Sequence, residues 1–309
     1  GPYMAGENGA LEELGVQVRN IQETIGFWAV INHGVAWKKL EETYKQLKQF
    51  FALPDDEKRR YLINELSIGY VPPKSTKYIT SIINENTKKD LNETLITALE
   101  RPPDHHLIKA GTRFVGPNQW PEGLPGFRDA IVSYQQEILK LGRKLLPIFS
   151  VALELPPSYF DQYFTDPVMW SRNAHYPAEV PEKNQYGIAP HSDHSFLTML
   201  PTTEVPGLQI LSQNGNWIDA KYIDKGILVN TGEFLNRWTN GRFIPTPHRV
   251  VPPEKDRYSI ATFFNPSPET VAVPLSTCCS EANPPRYEPM SLIDYVCWYI
   301  DTNYQRDAG

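Results

Sequence analysis

The stretch His191-Ser192-Asp193-His194-Ser195-Phe196-Leu197-Thr198-Met199-Leu200 decides how this chain is read. It opens with an imidazole and a carboxylate two residues apart, then passes at once into an apolar run. On a strand, residues i and i+2 project to the same face, so His191 and Asp193 can point together into the interior of a sheet. Around this stretch lie short apolar runs at 168–176, 187–193, 195–200, 207–211, 216–219, 226–231, 248–251 and 257–264, divided by Pro, Gly, Asn and Asp clusters. That spacing predicts an antiparallel sandwich or small barrel. Upstream, three- and four-residue steps predict helices over 9–25 and about 36–51. They flank a buried strand at 27–31 and the turn Asn32-His33-Gly34. Phe127, Ile131, Tyr134, Ile138, Leu141, Leu145 and Ile148 form one stripe on a long helix that starts near Pro125 and is closed by Pro156-Pro157. A last helix is predicted over 292–300.

The composition narrows the function. Of 309 residues, 40% are apolar and 21% charged, which suits a globular chain with a sizeable core. The 28 prolines, about twice the ordinary share, argue for many turns and strand ends and against a helical bundle. Lys+Arg at 30 against Asp+Glu at 36 leaves a net charge of −6, with no footprint for nucleic acid or anionic membrane. Cys278, Cys279 and Cys297 make an odd, small set that implies no disulfide framework and points to a reducing, cytoplasmic compartment. The first fifteen residues read as no signal peptide, and the most apolar stretch, 145–155, is too short to span a bilayer.

Of the seven histidines, only His191 has an acid two residues later. Chance alone produces such a pair in roughly three of ten chains of this kind, so it needs support. His248, in Pro247-His248-Arg249-Val250, is the natural third ligand, 55 residues beyond Asp193. Two neutral imidazoles and one carboxylate are the ligand set of non-haem Fe(II) oxygenases. A second signal follows nine residues later. Arg257 and Ser259 share a strand face by the same two-residue rule, and a guanidinium beside a hydroxyl suits a carboxylate.

These residues, with Pro206-Gly207-Leu208-Gln209, Asn214-Gly215-Asn216-Trp217-Ile218, Ile227-Leu228-Val229-Asn230-Thr231-Gly232 and the run 257–266, resemble in order and spacing the 2-oxoglutarate- and Fe(II)-dependent dioxygenases of the isopenicillin-N-synthase-like superfamily. The run 26–35 and Asn118-Gln119-Trp120-Pro121 resemble that family's N-terminal part. The resemblance covers nearly the whole chain. It implies a mainly β fold with flanking helices: a double-stranded β-helix (jelly-roll) core, a helical N-terminal region and a long helix packed on the barrel. It implies one catalytic unit, about 1–120 as a mixed α/β region and about 121–309 as long helix plus core. The strand that usually opens the family's fold is missing before residue 1, so the sequence is expected to be a trimmed chain; were it the whole protein, a sheet edge would be left unpaired.

The resemblance further implies Fe(II) on His191, Asp193 and His248. It implies 2-oxoglutarate as co-substrate on Arg257, Ser259 and Tyr176, dioxygen, and ascorbate as a stimulant. No catalytic side chain is expected beyond the metal ligands. The implied activity is oxidative decarboxylation of 2-oxoglutarate to succinate and CO2, coupled to hydroxylation, desaturation or cyclisation of a small molecule in specialised metabolism. The expected state is a monomer or weak dimer. Tyr70, Asn92, Met199 and Phe264 are expected near the substrate. His194 is expected on the face opposite Asp193, in a supporting or surface position. Ala174, Ser195 and Glu233 depart from the family pattern, which commonly has Asn, Gly and Asp there. Two rival readings are a 2-oxoglutarate-independent Fe(II) oxidase or cyclase of the same fold and a non-catalytic metal-binding sensor.

Overall fold

The computed structural model describes residues 2–78 and 86–306. Along the chain run α1 (Ala10–Gln22), β1 (Phe27–Val30), α2 (Trp37–Phe51), α3 (Asp55–Arg59), β2 (Gly69–Val71), β3 (Thr76–Tyr78), β4 (Glu93–Ala98), α4 (His106–Lys109) and α5 (Phe127–Ala152). Then follow β5 (Met169–Tyr176), β6 (Ile188–His191), β7 (Leu197–Pro201), β8 (Leu208–Leu211), β9 (Trp217–Asp219), β10 (Ile227–Thr231), α6 (Glu233–Trp238), β11 (His248–Val250) and β12 (Arg257–Phe264). The chain closes with β13 (Val271–Ala272), β14 (Met290–Ser291), α7 (Leu292–Asn303) and β15 (Tyr304–Arg306).

Two antiparallel sheets make the core, neither closed on itself. One has the order β1-β10-β7-β12-β5-β4-β2 and the other β6-β11-β8-β9. This is the mainly β jelly-roll with flanking helices that the sequence predicts. The N-terminal region is knit into it, since β1 pairs with β10 and β4 with β5. β1 forms one edge of the larger sheet. No helix among the described residues is long and apolar enough to cross a membrane.

The stripe on α5 is buried from Phe127 through Ile148. Its small residue Gly142 lets the helix approach the sheet closely: a Cβ there would lie 3.0 Å from the Phe264 ring. The same contact settles the two faces of β12. Phe264 points outward and stacks on Phe164 at 4.8 Å between ring centres. The sequence reading puts Phe264 on the substrate wall, but strand alternation puts Phe263 there, two steps from Ala261 and in line with Arg257 and Ser259. Phe264→Ala is therefore expected to cost stability, about 3–5 kcal/mol. It should leave 2-oxoglutarate affinity unchanged; urea unfolding and a binding titration check the two halves.

Candidate metal centre and its cavity

His191 ends β6 and His248 begins β11, and the two residues sit opposite one another in the antiparallel pairing. Their rings are 4.4 Å apart. Asp193 lies beyond the end of β6, in the turn before β7, and not on the strand as the two-residue rule assumes. That turn is pinned by the Asp193 carbonyl, which accepts from Glu233 N at 2.8 Å. Gly232 permits it, because a Cβ there would lie 2.3 Å from Ser195 O. Asp193 Oδ1 consequently stands 3.9 Å from His191 Nε2 and 3.7 Å from His248 Nε2.

The tautomers suit a metal ion. His191 Nδ1 lies 2.8 Å from Ala189 O, and His248 Nδ1 lies 3.1 Å from Thr246 O. A carbonyl only accepts, so both Nδ1 atoms carry a proton and the Nε2 atoms are the ring nitrogens that face Asp193. Burial, reinforced by His248, pushes the His191 imidazole down to about 3, which keeps it neutral. Burial alone would raise the Asp193 carboxyl. His248, His191 and hydrogen bonds, including one from Asn230, outweigh it and hold the group below its usual range. Two imidazoles with Nε2 turned inward and one carboxylate make a donor set that fits Fe(II).

A second grouping, His105, His106 and Asp166, offers ligand atoms as closely spaced. There, however, His105 Nδ1 accepts from Leu107 N at 3.3 Å. Its Nε2 must then carry the proton, so it faces Asp166 as a donor and has no lone pair to give.

Asn230, on β10, donates from Nδ2 to Asp193 Oδ2 at 2.7 Å and so leaves Oδ1 turned toward the imidazoles. Asn230→Ala is expected to weaken metal binding by about 10- to 100-fold, as measured by anaerobic Fe(II) titration.

Arg257 and Ser259 are 3% and 4% exposed. β12 and β5 pair with Arg257 opposite Tyr176, and the guanidinium carbon lies 5.0 Å from the Tyr176 ring centre. Nε and Nη1 of Arg257 are buried with no hydrogen-bond partner among the described residues. Orphaned donors are rare in native interiors and point to an absent anion, which a carboxylate of 2-oxoglutarate fits. Ala174, opposite Ser259, adds no polar atom to this end.

The triad, Tyr176, Arg257, Ser259 and Phe263 line one cavity of about 60 Å³. A second hollow of about 40 Å³ adjoins it and shares Arg172, His194, Phe263 and Tyr304. The four residues expected near substrate do not line either space. Tyr70 is fully buried, and its hydroxyl donates to Glu93 Oε2 at 2.5 Å. Met199 faces the outer core, while its neighbours Thr198 and Leu200 face the cavity. Phe264 packs against α5, as above. Asn92 stands behind the wall: its Nδ2 donates to Gly187 O at 2.7 Å, and its Oδ1 accepts from Arg172.

His194 is neither exposed nor remote. It stacks between Trp170 and Phe263 and lines both spaces. Glu233 turns away toward α7, where Tyr295 donates to it at 3.2 Å. Ser195 pairs with Thr198 at 2.9 Å. Arg172, Trp170 and Phe263 went unread in the sequence. Alternation along 168–176 and 257–264 carried the signal for all three, since Trp170 and Arg172 share the face of Tyr176.

Residues 167–266 match the pattern of the 2OG-Fe(II) oxygenase superfamily, and residues 4–123 match the non-haem dioxygenase in morphine synthesis N-terminal pattern. Kihadalactone A synthase LFS of Citrus sinensis is 35% identical over 88% of this chain and 82% of its own. The 2-oxoglutarate-Fe(II) type oxidoreductase hxnY of Emericella nidulans is 30% identical over 99% and 89%. Among solved structures, a full-length Neurospora crassa protein in complex with alpha-KG and thymine superposes with a TM-score of 0.84 at 25% identity, covering 97% of this chain and 94% of that one. Identity at this level over nearly the full length, joined to the same fold, shows that the chain belongs to the 2OG-Fe(II) oxygenase superfamily.

Proposed function

We propose that His191, Asp193 and His248 hold the iron of this 2-oxoglutarate-dependent oxygenase, and that Arg257 and Ser259 hold the far carboxylate of 2-oxoglutarate beside Tyr176. The observation that carries this reading is the pair of orphaned Arg257 donors on the wall of the cavity that contains the triad. When bound, Fe(II) would supply activation of dioxygen, which is the oxidant: one oxygen atom would end in succinate as 2-oxoglutarate loses CO2, and the other in the small molecule, hydroxylation being the default outcome. The residues of the chain do the rest. The Ala189 and Thr246 carbonyls fix the imidazole tautomers, and Asn230 fixes the carboxylate. Aromatic walls exclude bulk water, which strengthens every charge interaction inside. The pairing of β1 with β10 and of β4 with β5 supports one catalytic unit. Three unpaired cysteines suit a reducing, cytoplasmic setting.

The test is a screen of small molecules for stimulated succinate release by the Fe(II)-loaded protein. Release that needs both 2-oxoglutarate and one of the compounds is the expected result. Oxidation of a compound without 2-oxoglutarate and without succinate would replace this reading with the oxidase of the same fold.

A further inference from the structure

Arg172 stands where the two spaces meet. It lies on β5, on the same face as Trp170 and Tyr176, and lines both the metal cavity and the adjoining hollow. Its Nη2 donates to Asn92 Oδ1 at 3.3 Å, a long bond, and the guanidinium also hydrogen-bonds the Tyr304 side chain. Its Nε is buried without a hydrogen-bond partner among the described residues. Two more polar atoms on the wall of the same hollow are orphaned in the same way, Thr94 Oγ1 and His194 Nε2. Three unmatched polar atoms around one small space are costly unless a polar ligand meets them.

Apart from Thr76 and Tyr304, the rest of the wall is apolar, with Val71, Ile96 and Ile300 beside the rings of Phe114, Trp170 and Phe263. Trp170 stacks on Phe114 at 4.6 Å and on His194 at 5.6 Å, and His194 stacks on Phe263 at 5.2 Å. No acidic side chain lines the outer hollow among the described residues, and in the metal cavity the acid is Asp193, already turned to the imidazoles. Behind Arg172 stands Asp90, whose Oδ1 accepts from Ala189 N at 2.9 Å. Burial pushes that carboxyl up to about 7 despite the pull of Arg172, so its counter-charge is incomplete at neutral pH.

We infer that the substrate is a small carboxylic acid with a flat apolar body, its carboxylate seated on Arg172 with Thr94 beside it and its body lying along Trp170 and Phe263. This rests on the oxygenase reading above. The planar guanidinium favours a carboxylate over a neutral carbonyl, and a site built around a buried cation rejects a ligand that leaves it unmatched. Asn92 is then a positioning residue, since it holds the guanidinium and does not reach the cavity itself. Arg257 serves the co-substrate at one end of the cavity and Arg172 the substrate at the other, so two acids are told apart by position.

The experiment is anaerobic calorimetry on the full chain loaded with Fe(II) and 2-oxoglutarate. Cinnamate and 2-naphthoate serve as probes, each set against its primary amide. At least one acid should bind about 10- to 100-fold more tightly than its amide. Arg172→Gln should abolish that preference, Arg172→Lys should keep part of it, and the 2-oxoglutarate affinity of both variants should match that of the wild type. Equal affinity for acid and amide, no binding of either acid, or a preference that survives in Arg172→Gln would overturn the inference. So would a loss of 2-oxoglutarate affinity in Arg172→Gln, which would make the arginine a co-substrate residue. A wild-type protein that binds no 2-oxoglutarate in the same titrations would instead remove the oxygenase reading, and the inference with it.

Discussion

Asp193→Ala is expected to abolish turnover and to weaken Fe(II) binding by at least about 100-fold, while the fold survives. Asp193 is the single acid that lines the cavity among the described residues, and its Oδ1 stands within 4 Å of the Nε2 atoms of His191 and His248. Without it, two imidazoles alone would have to hold a divalent cation, with no carboxylate to compensate its charge. Asp193→Asn sharpens the test, because it keeps the shape and removes only the charge. Both variants should retain wild-type circular dichroism and lose succinate release. Full succinate release by either one would refute the metal assignment.

Arg257→Ala is expected to raise the 2-oxoglutarate requirement by about 30-fold to several thousand-fold, which corresponds to the 2–5 kcal/mol typical of truncating one partner of a buried charge pair. Arg257→Lys should fall between, because an ammonium offers a point charge in place of the planar fork. The free protein should behave in the opposite sense. Arg257 is buried with two donors unmatched, so removing it relieves a desolvation cost and should leave the melting temperature unchanged or slightly raised when no 2-oxoglutarate is present. Added 2-oxoglutarate should then stabilise the wild type and not the variant. Thermal melts with and without the co-substrate read both effects. A variant that melts lower without 2-oxoglutarate and binds it normally would make Arg257 a structural residue.

Much of the fold was legible because the signals were periodic and local. The α5 stripe survives residue for residue from Phe127 to Ile148, because a helix that packs one face on a sheet must repeat apolar residues at that spacing. Most core strands likewise lie within a residue or two of the expected runs, bounded by turn residues. The three-residue strands β2 and β3 were not legible, since three residues carry too little alternation to be told from a loop. β4 has six residues but is buried on both faces at most positions, so it shows no apolar–polar alternation either. At the site, alternation from Arg257 correctly aligns Ser259 and points to Phe263, and Phe264 departs from that rule.

The sequence by itself determined the class of architecture and the set of residue types able to bind iron and a carboxylate. These follow from nearest-neighbour geometry and from the chemistry of each side chain, both of which travel with the chain. Only the tertiary structure decided that Asp193 reaches the imidazoles from a turn and that His194 lines the cavity. It alone decided that Tyr70, Asn92, Met199 and Phe264 stand outside that cavity, and that Arg172 and Thr94 are left with unmatched polar atoms on the wall of the adjoining hollow. Whether a buried donor is satisfied depends on every element packed around it, many of them distant in sequence. That census exists only once the sheets and α5 have closed on one another.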